Sequence, residues 1–198
     1  MSRAIVRAGV PIWYTEGFNP RPKLVFSLPL SIGTESVCEY VDFKITADMP
    51  FEEIAKRVEA EFAPEMRVNG VWAPERKLAE IGFAEYDIVI NSAKASDEMA
   101  KGISDMLKEP LVVTKRSKSG DKEVDISPLI KSAEVSFENG HVLIKALLSC
   151  DSANYLNPEY VVRAAAEKFG IDFEIPETEY YSIMRKRVTL ADGITEFR

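Results

Sequence analysis

The chain has 198 residues, of which 46% are apolar, and a net charge of −7. This length is enough for one large domain or for two small domains with hydrophobic cores. An acidic chain is not a general binder of polyanions, so any contact with nucleic acid has to come from local basic patches. Solvated loops and strand ends are the simpler explanation of each such patch. The sequence has three of them: Arg21/Lys23, Lys115/Arg116/Lys118 and Arg185/Lys186/Arg187.

Cysteine and histidine are scarce. Cys38 and Cys150 are far apart and form no CxxC motif, which excludes a disulfide scaffold and a four-cysteine metal site. We expect two buried free thiols and a reducing, cytoplasmic setting. His141 follows Asn139-Gly140, a type I′ hairpin signal, so we expect a surface histidine at a turn.

We expect neither a signal peptide nor contact with a membrane, because no apolar run approaches the roughly 18 residues of a transmembrane span.

The first half predicts two helices and three strands in the order α-β-β-α-β. The second helix is amphipathic, with apolar residues at helical spacing, and Asp48 is placed to cap it. The first helix ends before Gly9, which has the C-cap position. In chain order the predicted elements are a helix over 2–8, strands over 24–30 and 37–45, a helix over 50–62 and a strand over 67–73.

The second half predicts the order β-α-(ββ)-β-β-α-β. Ser96 or Asp97 caps its first helix, and Asn157 and Gly170 bound the second. The predicted elements are a strand over 81–90, a helix over 96–107, a hairpin of 111–116 with 123–126, a second hairpin of 129–137 with 141–148, a helix over 158–169 and a strand over 177–187.

Both orders match the ferredoxin-like unit β-α-β-β-α-β. The sequence therefore predicts an α+β protein of two such halves in tandem, residues 1–76 and 77–198. The first half lacks its opening strand, and the second carries an extra hairpin. An absent central strand leaves unpaired backbone groups. We expect that gap to be closed by local rearrangement or by another chain, for instance in a homodimer.

The most distinctive segment is the loop over residues 14–23, which leads into the first predicted strand. Two prolines and a glycine make it stiff, and a stiff loop loses little entropy on binding. Its cations suit a phosphate or carboxylate, and its rings suit stacking on a base. A structural connection with Glu16 paired to Arg21 explains the loop as well. The candidate ligand-binding residues are Tyr14, Glu16, Phe18, Asn19, Arg21 and Lys23.

Other polar groups are weaker candidates. Glu35, Glu39 and Asp42 lie near the loop in sequence, but alternation puts Glu39 and Asp42 on opposite strand faces. The polar run over 151–158 is explained largely by helix capping. The sequence contains no phosphate-binding loop, nucleophile elbow or HExxH motif. It therefore assigns no catalytic residue and no metal ligand.

Residues 7–24, RAGVPIWYTEGFNPRPKL, resemble the hallmark of the bacterial radical SAM-linked family DUF2344. The family pattern is a basic helix, Ala-Gly-Leu-Pro, and then Tyr-Ser-Glu-Gly-Phe-Asn-Pro-His-Pro-Lys. Residues 26–30, 33–36 and 39–42 fit it as well. Arg21 stands where the family usually has histidine. Family members also open with a strand and a Ser-His-Leu-Asp segment, and this chain begins after both.

The resemblance implies a partnership with a radical SAM enzyme. The Fe–S cluster and S-adenosylmethionine would belong to that enzyme, because a cluster needs more cysteines than this chain has. We therefore expect a non-catalytic binding or substrate-presenting module. RNA is its expected substrate, by fold-level analogy with tRNA pseudouridine synthases and CRISPR RNA endonucleases. The alternatives are a stand-alone enzyme acting on a nucleotide or RNA, and a purely structural protein–protein adaptor.

Overall fold

The computed structural model describes residues 1–115, 120–151, 153–174 and 177–198, and within them the protein is an α+β fold. It divides into two compact units. The first unit comprises residues 1–27, 39–76 and 198, and the second comprises residues 28–38 and 77–197. In chain order the elements are α1 (Ser2–Arg7), β1 (Leu24–Phe26), β2 (Thr34–Ser36), β3 (Val41–Phe43), α2 (Phe51–Ala60), β4 (Ile81–Asn91), α3 (Asp97–Met106), β5 (Val112–Lys115), β6 (Lys122–Asp125), β7 (Ile130–Glu138), β8 (His141–Ser149), α4 (Glu159–Phe169) and β9 (Tyr180–Leu190).

The core of the first unit joins its two helices to its extended segments. The apolar spacing of α2 puts Ile54 and Val58 on one face, and both are buried. They pack with buried residues of the N-terminal region and with half-buried residues of β1 and β3, which pair antiparallel. The other buried members are Ile5, Ala8, Val10 and Ile12, and the half-buried ones include Leu24, Val41, Phe43 and Ile45.

Several predictions for the first half are wrong. Residues 67–73 form no strand, because the Val68 amide donates to the Glu59 carboxylate at 2.8 Å instead of to a neighbouring strand. Asp48 does not cap α2, which begins after Pro50 without a side-chain cap. The predicted strands over 24–30 and 37–45 are shortened to three residues each. Residues 28–30 and 37–38 of these predicted strands belong to the second unit.

The second unit follows its predicted order closely. A sheet with the strand order β2-β9-β4-β8-β7 pairs antiparallel throughout, except that β2 lies parallel to β9. The predicted hairpin of β5 and β6 follows α3. Ser96 caps α3, Gly170 ends α4 in the left-handed conformation, and Asn139 and Gly140 both have positive φ at the β7–β8 turn. The order of elements predicted for residues 77–198 is therefore confirmed. That both halves are ferredoxin-like copies, with an opening strand missing from the first, stays a prediction.

Gly82 in β4 tests how closely this sheet is packed. A Cβ added there would lie 2.6 Å from the Cα atom of Ala191, which is backbone and cannot rotate away. We expect Gly82→Ala to lower the free energy of unfolding by about 1–3 kcal/mol. Asn91→Ala at the other end of the same strand is the control and should change it by less than about 0.5 kcal/mol. Equal unfolding midpoints in urea for both variants would contradict this packing.

Candidate binding site

The predicted loop is a short β-hairpin. The Thr15 amide donates to the Arg21 carbonyl at 2.9 Å, and the Lys23 amide donates to the Trp13 carbonyl at 3.1 Å. The Arg21 amide donates to the Thr15 hydroxyl at 3.1 Å, and this bond joins the two arms at the end nearer the tip. At the tip, Gly17 has a φ of +127°, a conformation that other residues rarely adopt. Local hydrogen bonds therefore fix residues 13–23, which we call the hairpin.

The base of the hairpin is anchored in the first unit. The Trp13 amide donates to the Lys44 carbonyl at 2.7 Å, and the Thr46 amide donates to the Pro11 carbonyl at 2.7 Å. Between them, Ile12 pairs with Ile45 and is 6% exposed. A buried residue directly before the hairpin holds its direction, because turning the base would pull an apolar side chain out of the core.

All six candidate residues lie on this hairpin. Phe18 is 100% exposed and Tyr14 is 42% exposed. Glu16, Asn19, Arg21 and Lys23 are exposed as well. The Lys23 ammonium lies 5.6 Å from the centroid of the Trp13 ring, close enough for a cation–π contact.

The hairpin does not contain the ion pair that the structural alternative requires. Within the described residues, no salt bridge joins Glu16 to Arg21. The backbone bonds of residues 15 and 21 hold the hairpin instead. Arg21 is exposed, so its guanidinium can bind an anion from outside.

The basic patch at residues 185–187 makes its contacts within the second unit. Arg185 is 1% exposed, and its Nε donates to the Tyr86 hydroxyl at 3.2 Å while its Nη2 donates to the Pro29 carbonyl at 3.0 Å. Arg187 pairs with Glu85 at 2.7 Å, and Lys186 lies 4.0 Å from Asp87. These cations serve the second unit's own packing and pairing.

The basic patch of Lys115, Arg116 and Lys118 is described only in part. The Lys115 ammonium lies 5.5 Å from the centroid of the Tyr160 ring, which is a contact within the second unit. Arg116 and Lys118 lie outside the described residues. The patch therefore adds no argument for an external ligand.

The weaker carboxylate candidates divide between the two units. Glu35 is exposed in the second unit, whereas Glu39 and Asp42 are half-buried in the first. Burial raises the pKa of Asp42. The carboxylate of Asp151 accepts from the amides of residues 153 and 154, and the Asn157 side chain accepts from the amide of Glu159, the first residue of α4. In the described part of the chain, no group of three histidine, cysteine or acidic residues is placed to hold a metal ion.

Both cysteines are free, as predicted. Cys150 is buried at 3% exposure, whereas Cys38 is half-buried, so the expectation of two buried thiols holds for only one of them. Burial raises the pKa of Cys150 to about 12, with the charge of Arg185 opposing the shift. His141 begins β8 and is half-buried rather than fully at the surface.

Sequence reasoning missed Trp13, one residue before the loop. It was read only as part of the motif, yet its ring touches Lys23 and its carbonyl holds the hairpin base. The signal was present in the alternation of Ile12 and Trp13, which puts one of them in the core and the other on the opposite face.

Comparison with known proteins gives a family. Residues 1–158 match DUF2344, described as an uncharacterized protein conserved in bacteria, and the chain belongs to this family. No curated protein and no solved structure matches the chain. Among the helices of the described residues, none has the length and apolarity that a transmembrane segment requires.

The raised pKa of Cys150 makes its reactivity testable. Iodoacetamide reacts with the thiolate, and a shift from 9.0 to about 12 lowers the thiolate fraction near pH 8 by about a thousandfold. We expect Cys150 in the folded protein to be alkylated at least about a thousandfold more slowly than in urea, as followed by peptide mass spectrometry. Comparable rates in the two conditions would show that the thiol is neither buried nor protonated as described.

Proposed function

We propose that the protein is a cytoplasmic binding or substrate-presenting module that holds RNA at the hairpin for a radical SAM enzyme. One observation carries the proposal. A hydrogen-bonded hairpin presents a fully exposed phenylalanine, Phe18, together with two exposed cations, Arg21 and Lys23. Such a surface offers a ligand both a flat apolar contact and a charge contact.

The exposure of Phe18 favours binding over a merely structural role. A structural phenylalanine stabilises a protein through burial, which is worth about 1.5–3 kcal/mol for a complete side chain. Phe18 is 100% exposed, so it gives the fold none of this. A ligand that covers the ring recovers that free energy, and the stiff hairpin loses little entropy in return.

The mixture of groups favours RNA among possible ligands. Arginine forms a bidentate contact with phosphate, lysine adds a second positive charge, and an aromatic ring stacks on any base. The exposed Asn19 can donate to and accept from a base edge. The chain has a net charge of −7, so attraction to a polyanion has to come from a local group of cations, such as the two on this hairpin.

The resemblance to the radical SAM-linked family supports the choice of partner. The partner enzyme would carry the Fe–S cluster and S-adenosylmethionine, since the two free cysteines of this chain are too few for a cluster. The same free thiols support a reducing compartment. In this arrangement the hairpin binds the substrate, and the chemistry takes place on the enzyme.

A protein–protein adaptor is the second candidate, because an exposed phenylalanine also fits a pocket on a protein. Co-purification with the enzyme in a nuclease-treated sample, with no RNA bound by the isolated chain, would favour the adaptor. A stand-alone enzyme remains the third reading. It requires cleavage or modification of RNA by the purified chain alone, which the module does not perform.

The cations of the hairpin set the salt dependence of RNA binding. We expect Arg21→Ala combined with Lys23→Ala to weaken binding and to lower the slope of log K against log salt by about one unit for each lost phosphate contact. The measurement is a fluorescence anisotropy titration at several salt concentrations.

The matched control removes two exposed cations of the second unit, Lys101→Ala combined with Lys122→Ala. It changes the net charge equally, and we expect the slope to stay as in the unmodified protein. If both double variants change the slope by the same amount, the attraction is general and the hairpin is not the site. No RNA binding by the unmodified protein at low salt would overturn the proposal.

Phe18 supplies the stacking contact. We expect Phe18→Ala to weaken RNA binding by about tenfold, within the range of roughly 1–3 kcal/mol for one base on one ring. The thermal unfolding midpoint should not change, because the side chain is fully exposed. Ile194→Ala, at a residue that is 78% exposed in the second unit, is the control and should leave both quantities unchanged.

A further inference from the structure

The hairpin continues into a small sheet with two distinct faces. Residues 40–46 pair with β1 at one end and with residues 11–13 at the other. Apolar residues at alternate positions face the core, so their neighbours in the sequence face the opposite side. We call that side the outer face, and it consists of Trp13, Lys23, Val25, Tyr40, Asp42 and Lys44.

Three members of the outer face are exposed, and the other three, Trp13, Tyr40 and Asp42, are half-buried. Val25 in its middle is 46% exposed, and Lys23 and Lys44 are both exposed. At one end the Lys23 ammonium lies 5.6 Å from the Trp13 ring. The face therefore extends the hairpin's combination of cations and rings beyond the loop itself.

Trp72 enlarges the other end of the outer face. Its ring meets the edge of Tyr40 at a centroid distance of 6.3 Å, and it is 45% exposed. A Cβ added at Gly70 would lie 3.0 Å from the Trp72 ring, so the ring packs directly over the glycine backbone. Trp72 is thus held in place while half of it remains available for contact.

We infer that the outer face binds an unpaired RNA strand, with bases stacking on Trp13 and Trp72 and phosphates bound by Lys23 and Lys44. This inference rests on the proposed function and extends it from RNA in general to single-stranded RNA. It adds four residues outside the loop over 14–23: Trp13, Lys44, Tyr40 and Trp72.

The arrangement of the groups selects a single strand over a duplex. An aromatic side chain can stack only on a base with a free face, and in a duplex those faces are occupied by neighbouring bases. Alternate residues of a strand are about 7 Å apart, so Lys44 and Tyr40 lie about 14 Å from each other. An extended strand spans that distance with its bases turned towards the protein.

Asp42 fits the same orientation. It lies between Lys44 and Tyr40 on one strand, opposite Val25. A half-buried carboxylate repels phosphate but accepts hydrogen bonds from amino groups on base edges. The RNA backbone is therefore expected to follow the lysines, with the base edges above Asp42.

The test uses the chain's own fluorophores, because its two tryptophans, Trp13 and Trp72, both belong to this surface. The full-length protein is titrated with an RNA strand of about twelve nucleotides and with the same strand annealed to its complement. We expect the single strand to quench tryptophan fluorescence and to bind at least about tenfold more tightly than the duplex.

Two variants locate the contact. Trp72→Ala should weaken binding of the single strand by about tenfold. Trp13→Phe keeps a flat ring and should retain affinity. Trp72 is then the one tryptophan left, so any quenching by RNA in this variant reports contact with Trp72. Phe51→Ala, at an exposed aromatic residue that begins α2, is the matched control and should change nothing. Thermal unfolding midpoints check that each variant is folded.

The outcomes separate this inference from the proposed function. One outcome would overturn the outer-face inference and leave the hairpin as the site. In it, the Arg21/Lys23 and Phe18 variants bind RNA more weakly, RNA leaves the tryptophan fluorescence of the unmodified protein unchanged, and Trp72→Ala binds with full affinity. Equal or tighter binding of the duplex would also overturn it. Failure to bind either RNA would overturn both proposals.

Discussion

Residues 40–46 form backbone hydrogen bonds with two different segments, and the candidate site depends on this double pairing. The Ser27 amide donates to Tyr40, and the Trp13 amide donates to Lys44. The first contact continues β1, and the second fixes the base of the hairpin. Because both segments bind one strand, the hairpin and the outer face form a continuous surface over one core. If this strand shifted by one residue, its core and outer side chains would exchange places.

The cations of this protein differ in whether their charges are bound by groups of the same unit. Arg185 is buried and donates to a carbonyl and a phenol oxygen. Its neighbours Lys186 and Arg187 pair with acidic residues of β4. Arg21 and Lys23 lie on a hairpin held by backbone hydrogen bonds, and within the described residues neither forms a salt bridge. In an acidic protein, this difference decides which basic sequence can attract an anion.

The second half was predictable because its main strands are long enough to show a clear alternation and its cap and turn residues indicate the same elements. Strands of nine to eleven residues, a serine cap, a glycine C-cap and an Asn-Gly turn all specify the same elements. The first half has strands of only three residues, where periodicity carries little information. Residues 67–73 read as a strand, but a strand needs a partner, and the amide of Val68 is bound by a side chain.

The sequence by itself determined the class of fold, the family and the loop that holds all six candidate residues, because stiff loops and capped helices are encoded by neighbouring residues. Only the tertiary structure decided which of these residues work together. It buried Arg185, left Phe18 exposed, placed Trp13 beside Lys23 and Lys44, and placed Trp72 beside Tyr40. The outer face depends on strand pairing between residues that are 15 to 33 positions apart, and no local pattern in the sequence specifies the register of such pairs.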